Sequence, residues 1–116
     1  MSTYPVDIKA KRIRSTTANQ VIFAGPARIL GFSANCTAGA GTIDIEDDGT
    51  SLGVWGTPNG ASSPFVYNVT LPGTGLRCKT KPTCSLGTIA DVTFYYGEED
   101  KWLRREQRHS FLRLMK

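Results

Sequence analysis

Between Val21 and Gly97 short apolar runs alternate with turn-forming clusters, a pattern of many brief strands rather than of helices. Val21-Ile22-Phe23-Ala24 stops at Gly25-Pro26, and a longer run, Ala27 to Cys36, ends in Thr37-Ala38-Gly39-Ala40-Gly41. In Thr42-Ile43-Asp44-Ile45-Glu46 the alternation puts Ile43 and Ile45 on a core face and leaves Thr42, Asp44 and Glu46 in water. Asp47-Asp48-Gly49 reads as a hairpin turn. Leu52 to Trp55 is next, followed by a loop of small residues from Gly56 to Pro64. The clearest strand is Phe65 to Leu71, with Phe65, Tyr67, Val69 and Leu71 on one face and Pro72-Gly73-Thr74-Gly75 closing it. Leu76 and Cys78 then point inward, Arg77 and Lys79 outward, and Pro82 marks a turn. Thr83 to Ile89 is a weaker strand, and Val92, Phe94 and Tyr96 share one face of the last. About eight short strands spaced about ten residues apart predict a mainly β domain, an antiparallel β-sandwich or a jelly-roll-like barrel. Its expected span is residues 16–97.

Both flanks break this pattern. Glu98-Glu99-Asp100 opens a stretch without Gly or Pro that runs to Lys116, acids first and bases after, as the helix dipole favours. Residues 98–116 are therefore predicted to form an amphipathic C-terminal α-helix. Leu103, Gln107, Phe111, Leu114 and Met115 lie along its stripe, and Asp100 and Arg104 are spaced as an i,i+4 ion pair. Such a helix is marginal alone in water, so it is expected to pack on its own domain or on a neighbour. At the other end, residues 1–15 read as an extended basic arm. Lys9, Lys11, Arg12 and Arg14 are interleaved with Ile8, Ala10 and Ile13, and such a segment can add as a strand to a neighbouring chain. Deleting a free arm of this kind is expected to leave the melting temperature nearly unchanged.

Charge sharpens the contrast between body and ends. The net charge is +4 over 116 residues, a length that suits one domain. Residues 1–20 carry four bases against one acid, residues 21–97 four against five, and residues 98–116 six against four. Basic ends on a nearly neutral body suggest an acidic protein partner met by the termini, and make nucleic acid an unlikely ligand. No run approaches the roughly 20 apolar residues of a membrane span. Met1 to Arg14 lacks the apolar centre of a secretory signal, so a reducing cytoplasm is expected. Three cysteines, Cys36, Cys78 and Cys84, cannot all pair, and fit buried thiols rather than a disulfide scaffold. Cys78 and Cys84 are expected to face each other across a hairpin.

Candidate chemistry is sparse. His109 is the single histidine and stands among arginines with no motif for a base or nucleophile around it. Asp44, Glu46, Asp47 and Asp48 cluster as a cation site would, but Gly49 follows too early for a calcium loop, and strand face plus turn explains them. Cys78 and Cys84 lack zinc spacing and a second pair. The Gly-rich stretches 39–41 and 73–75 lack a phosphate-loop ending. The expectation is a binding protein, not an enzyme, with no catalytic residue, no metal and no cofactor. Its partner-binding residues are expected at the two ends: Lys9, Lys11, Arg12 and Arg14 in the arm, and Trp102, Leu103, Phe111 and Leu112 in the helix. Aromatic and arginine side chains are those enriched in interfaces.

Four segments in order carry a resemblance: Val21-Ile22-Phe23-Ala24-Gly25-Pro26-Ala27-Arg28-Ile29-Leu30-Gly31, Thr42-Ile43-Asp44-Ile45-Glu46-Asp47-Asp48-Gly49, Leu71-Pro72-Gly73-Thr74-Gly75-Leu76-Arg77 and Val92-Thr93-Phe94-Tyr95-Tyr96-Gly97. From about Thr16 to Gly97 the chain resembles small β-rich virion proteins of tailed bacteriophages, of the capsid decoration or cement type. The resemblance implies binding to a major capsid protein lattice or to other virion proteins, on the outer capsid surface, without catalysis. A homo-oligomer, a trimer by expectation, would match a symmetric lattice. Residues 98–116 and those before Thr16 lie outside the resemblance. Two other readings share the sandwich: a tail, neck or fibre-base component, and a lectin-like carbohydrate binder using Trp55 and Tyr67.

Overall fold

The chain folds back on itself at Asp48-Gly49, where both residues have positive φ, 47° and 90°. These angles suit the two-residue turn whose twist matches the strands it joins. In the computed structural model, which describes residues 8–98, this turn is the innermost of a nested set of antiparallel pairings. The strands are β1 (Lys9–Ile13), β2 (Gln20–Val21), β3 (Ala27–Cys36), β4 (Gly41–Asp47), β5 (Thr50–Thr57), β6 (Phe65–Thr70), β7 (Leu76–Cys78), β8 (Pro82–Gly87) and β9 (Val92–Glu98). β4 pairs with β5, β3 with β6 and β7, β2 with β8, and β1 with β9. The resulting ribbon rolls into two sheets. The larger has the order β1-β9-β3-β6, with β7 also on β3, and the smaller has the order β2-β8-β4-β5.

One apolar cluster fills the space between the sheets. Ile13, Ile29, Phe32, Val92, Phe94 and Cys78 come from the larger sheet, and Ile43, Ile45, Cys84 and Leu86 from the smaller. Phe32 sits at the middle, with ring centroids of Trp55, Phe94 and Tyr67 at 5.8, 5.9 and 6.3 Å. Tilted and edge-on contacts of this kind add to simple burial. Alternation holds as expected for Phe65, Tyr67 and Val69, whose neighbours Val66, Asn68 and Thr70 are exposed.

Two ladders carry an extra residue. Opposite β9, the register of β3 shifts between Ile29 and Gly31, leaving Leu30 unmatched. Opposite β4, the register of β5 shifts so that Leu52 is the extra residue. A bulge re-aims the side chains around it. Leu30 is buried yet lies outside the core cluster, and Leu52 is exposed.

The structure corrects several expectations. Lys9–Ile13, taken as part of a free arm, is an edge strand of its own chain. Its outer-face alternation finds β9, Ile13 falls into the core, and Lys9 and Arg12 meet Glu98 and Asp91. The strand count among the described residues is nine rather than eight for this reason. Glu98, expected to open a helix, ends β9 opposite Ala27; the rest of the expected helix, and residues 1–7, lie outside the described residues. The Val21–Ala24 strand shrinks to Gln20–Val21. Pro82 begins β8 instead of marking a turn, a position that needs no N–H in the ladder. Cys78 and Cys84 do not face each other across a hairpin, because the chain crosses from one sheet to the other between them. That crossover is held by Asp47, whose carboxylate accepts the backbone N–H of Lys79, Thr80 and Lys81 at 3.1, 3.0 and 3.2 Å.

Since β1 buries Ile13, deletion of residues 1–15 should destabilise the protein. Burial of such a side chain contributes about 1.5–3 kcal/mol, so the melting temperature should fall by roughly 10 °C in a circular-dichroism melt. An unchanged melting temperature would restore the free-arm reading.

Candidate protein interface

The basic residues expected to reach a partner divide once they are placed on the sheet. Arg12 donates through Nε and Nη2 to the two oxygens of Asp91 at 2.8 and 2.7 Å, a bidentate pair that Asn35 Nδ2 joins at 2.9 Å. The Arg12 hydrogen bonds hold the Asp91 carboxyl down to about 2 against burial, with Asn35 and the nearby Arg12 and Arg14 charges also lowering it. Lys9 Nζ meets Glu98 Oε1 at 3.0 Å. Arg12 and Lys9 are therefore staples between β1 and the strand beside it, whereas Lys11 and Arg14 lie exposed on the same edge. The other four expected contact residues, Trp102, Leu103, Phe111 and Leu112, lie outside the described residues, as does His109.

The acidic cluster is structural. Asp44 accepts from Ser51 Oγ at 2.7 Å, Asp47 secures the crossover, and Asp48 lies 3.5 Å from Lys81 Nζ. Glu46 departs from the strand pattern: expected in water, it is 4% exposed. It sits on an interior strand of the smaller sheet, beside the β5 bulge, and accepts from Thr83 Oγ1 at 3.1 Å and Ser85 Oγ at 2.9 Å. Among the described residues no three ligating side chains converge as a metal site. No helix among them is long and apolar enough to cross a membrane.

Cys36, Cys78 and Cys84 are buried free thiols. Burial pushes Cys84 up to about 12, with the Glu46 and Asp44 charges adding to the shift, and burial raises Cys36 too. Neither of these two is a nucleophile at neutral pH. Trp55 and Tyr67, the two aromatics of the carbohydrate reading, are half-buried and rest against Phe32.

What remains is surface shape and charge. The four sheet edges differ. β1 carries Lys9, Lys11 and Arg12, and β2 has only two residues; charge and brevity are ordinary ways to stop an edge from pairing with another chain. β5 and β6 have neither protection. They are eight and six residues long, contain no charge and no proline, and expose Val54 (58%) and Val66 (55%) as well as Leu52. The whole segment from Thr50 to Leu76 lacks a charged residue. Around the corner, Ile8, Leu30, Val69 and Tyr95 line an open groove of about 410 Å³ on the larger sheet. Sequence reading by clusters of charge missed this surface; the signal was a gap between charges, from Asp48 to Arg77.

No protein family, curated protein or solved structure matches this chain.

Two outcomes are expected. Asp91→Asn should lower the melting temperature at pH 7. Because the folded-state value of Asp91 is depressed from 3.8, the wild-type advantage is present above about pH 4 and lost as the pH falls towards 2, where the two melts should converge. Iodoacetamide at pH 8 should leave the native thiols unlabelled and modify all three in denaturant, read by intact mass.

Proposed function

We propose that this protein is a structural component of a bacteriophage particle that decorates and stabilises the capsid shell by binding the major capsid protein lattice. The observation that carries the reading is the charge-free side of the sandwich formed by β5 and β6. Charged residues are depleted at the centre of protein interfaces, and an unprotected edge with exposed valines invites a protein cover. Two further points support it. The nested strand order is compatible with a jelly roll, an architecture used in viral capsid and lectin domains, which is support by analogy. The acids, thiols and aromatics that could have supplied chemistry are engaged in holding the fold. In this reading the predicted helix in residues 99–116, with Trp102, Leu103, Phe111 and Leu112, extends the contact across neighbouring subunits. Many weak contacts repeated over a lattice give avidity.

Electron microscopy of particles made with and without the protein tests this. Decoration expects a copy number on the order of hundreds, spread over the shell with its symmetry. Roughly a dozen copies at one vertex would transfer the protein to the tail or neck, and particles without it in any position would remove the virion reading altogether.

A further inference from the structure

We propose that Arg28 and Arg77, side by side on the outer face of the larger sheet, hold the acidic run Glu99-Asp100 of the same chain and so fix where its C-terminal tail leaves the domain. The anchor is independent of the capsid reading, because it is measured on the free chain.

The ladder brings the two bases together. Arg28 on β3 stands directly opposite Arg77 on β7. Their neighbours Ala27, Ile29 and Cys78 are buried in the core, so alternation turns both arginines to the outside. Like charges directly across a ladder repel, and a carboxylate between them relieves that repulsion. The guanidinium of Arg28 is already positioned, with Nη1 donating to Thr74 Oγ1 at 3.1 Å. Thr74 is held beside β3 by a turn with positive φ at Gly73 and Gly75, 62° and 83°. That turn is pressed onto the strand, since a Cβ on Gly75 would collide with the backbone oxygen of Ile29. On the other side of Arg28 stands Gly97 of β9, whose lack of a side chain leaves room there.

Elimination selects the occupant. Each acid among the described residues has a partner of its own. Asp44, Glu46 and Asp47 take hydroxyl or backbone donors, and Asp48, Asp91 and Glu98 face Lys81, Arg12 and Lys9. Asp7, Glu99, Asp100 and Glu106 remain, all outside the described residues. Asp7 precedes β1, which β9 separates from β3, and Glu106 comes well after the end of β9. Glu99 and Asp100 directly follow Glu98, and Glu98 is paired with Ala27, the neighbour of Arg28. Consecutive Cα atoms are about 3.8 Å apart, so the tether to the arginines is one or two residue steps long. So short a tether gives these acids an effective concentration far above that of a separate acidic molecule. The planar fork of arginine also suits a carboxylate. Trp102 and Leu103 follow within three residues of Asp100, so the apolar part of the tail starts from this anchor.

The test is hydrogen exchange read by mass spectrometry on the full chain, at the amides of residues 99–103. In the wild type these amides should exchange about tenfold more slowly than in an unstructured peptide of the same sequence. Arg77→Glu, at an exposed position, should remove the protection while the melt stays cooperative. Arg77→Glu combined with Glu99→Arg or with Asp100→Arg should restore it in at least one pairing, which a merely structural loss would not allow. Should Arg77→Glu fail to fold, Glu99→Lys together with Asp100→Lys takes its place, since both lie beyond the last strand. Unprotected amides in the wild type overturn the proposal. So does protection that Arg77→Glu or the lysine pair leaves unchanged, and so does a loss that neither reversed pairing restores. Arginine variants that lose attachment to particles while the tail exchanges as in the wild type overturn it as well, because the arginines then serve a separate acidic partner.

Discussion

The strand Ala27–Cys36 is the constraint on which the rest of this sandwich depends. It is paired along both sides, to β9 on one and to β6 and then β7 on the other. Its inward residues Ile29, Phe32, Ala34 and Cys36 are all buried. A strand so placed has no side exposed for water to satisfy, so its backbone groups must find partners along the whole ladder. The bulge at Leu30 reconciles two partners on one side with a single continuous partner on the other. Phe32 then ties the larger sheet to Trp55 of the smaller one.

Polar residues serve this arrangement at its seams. Asp47 holds the chain where it crosses from β7 to β8, Asp91 ties β1 to the start of β9, and Glu46 orders two hydroxyls on β8. Each carboxylate takes hydrogen bonds from donors of its own chain, which leaves little for a substrate or an ion to recruit. The same engagement explains why a cluster of four acids in five residues makes no metal site among the described residues.

Charge is distributed unevenly around the edges. The chain protects β1 with bases and β2 with brevity, and leaves β5 and β6 bare. Exposed edges are a hazard for a free monomer, and a 27-residue tract without charge is the kind of surface a partner covers. The proposed lattice contact follows from this imbalance.

Strand periodicity was legible without coordinates, because alternation at Ile43 and Ile45, at Phe65 to Val69 and at Val92 to Tyr96 is a local consequence of the pleat. So were the Asp48-Gly49 turn and the burial of the thiols. The partner of each strand was not, because pairing joins residues far apart in the chain, such as Ile13 with Val92, and local pattern holds no record of that distance. Lys9–Ile13 shows the consequence: the same alternation suits addition to a neighbour or to its own sheet, and only the positions of Asp91, Glu98 and the core pocket for Ile13 decide between them. Glu46 shows it again, since an outward strand position becomes buried when the adjoining strands supply hydroxyls and a bulge beside it. By itself the sequence determined a mainly β domain with basic ends and without a visible catalytic motif. Tertiary structure alone decided which edges are protected, which are bare, and where an apolar groove lies, because edges and grooves exist only after strands from distant parts of the chain have paired.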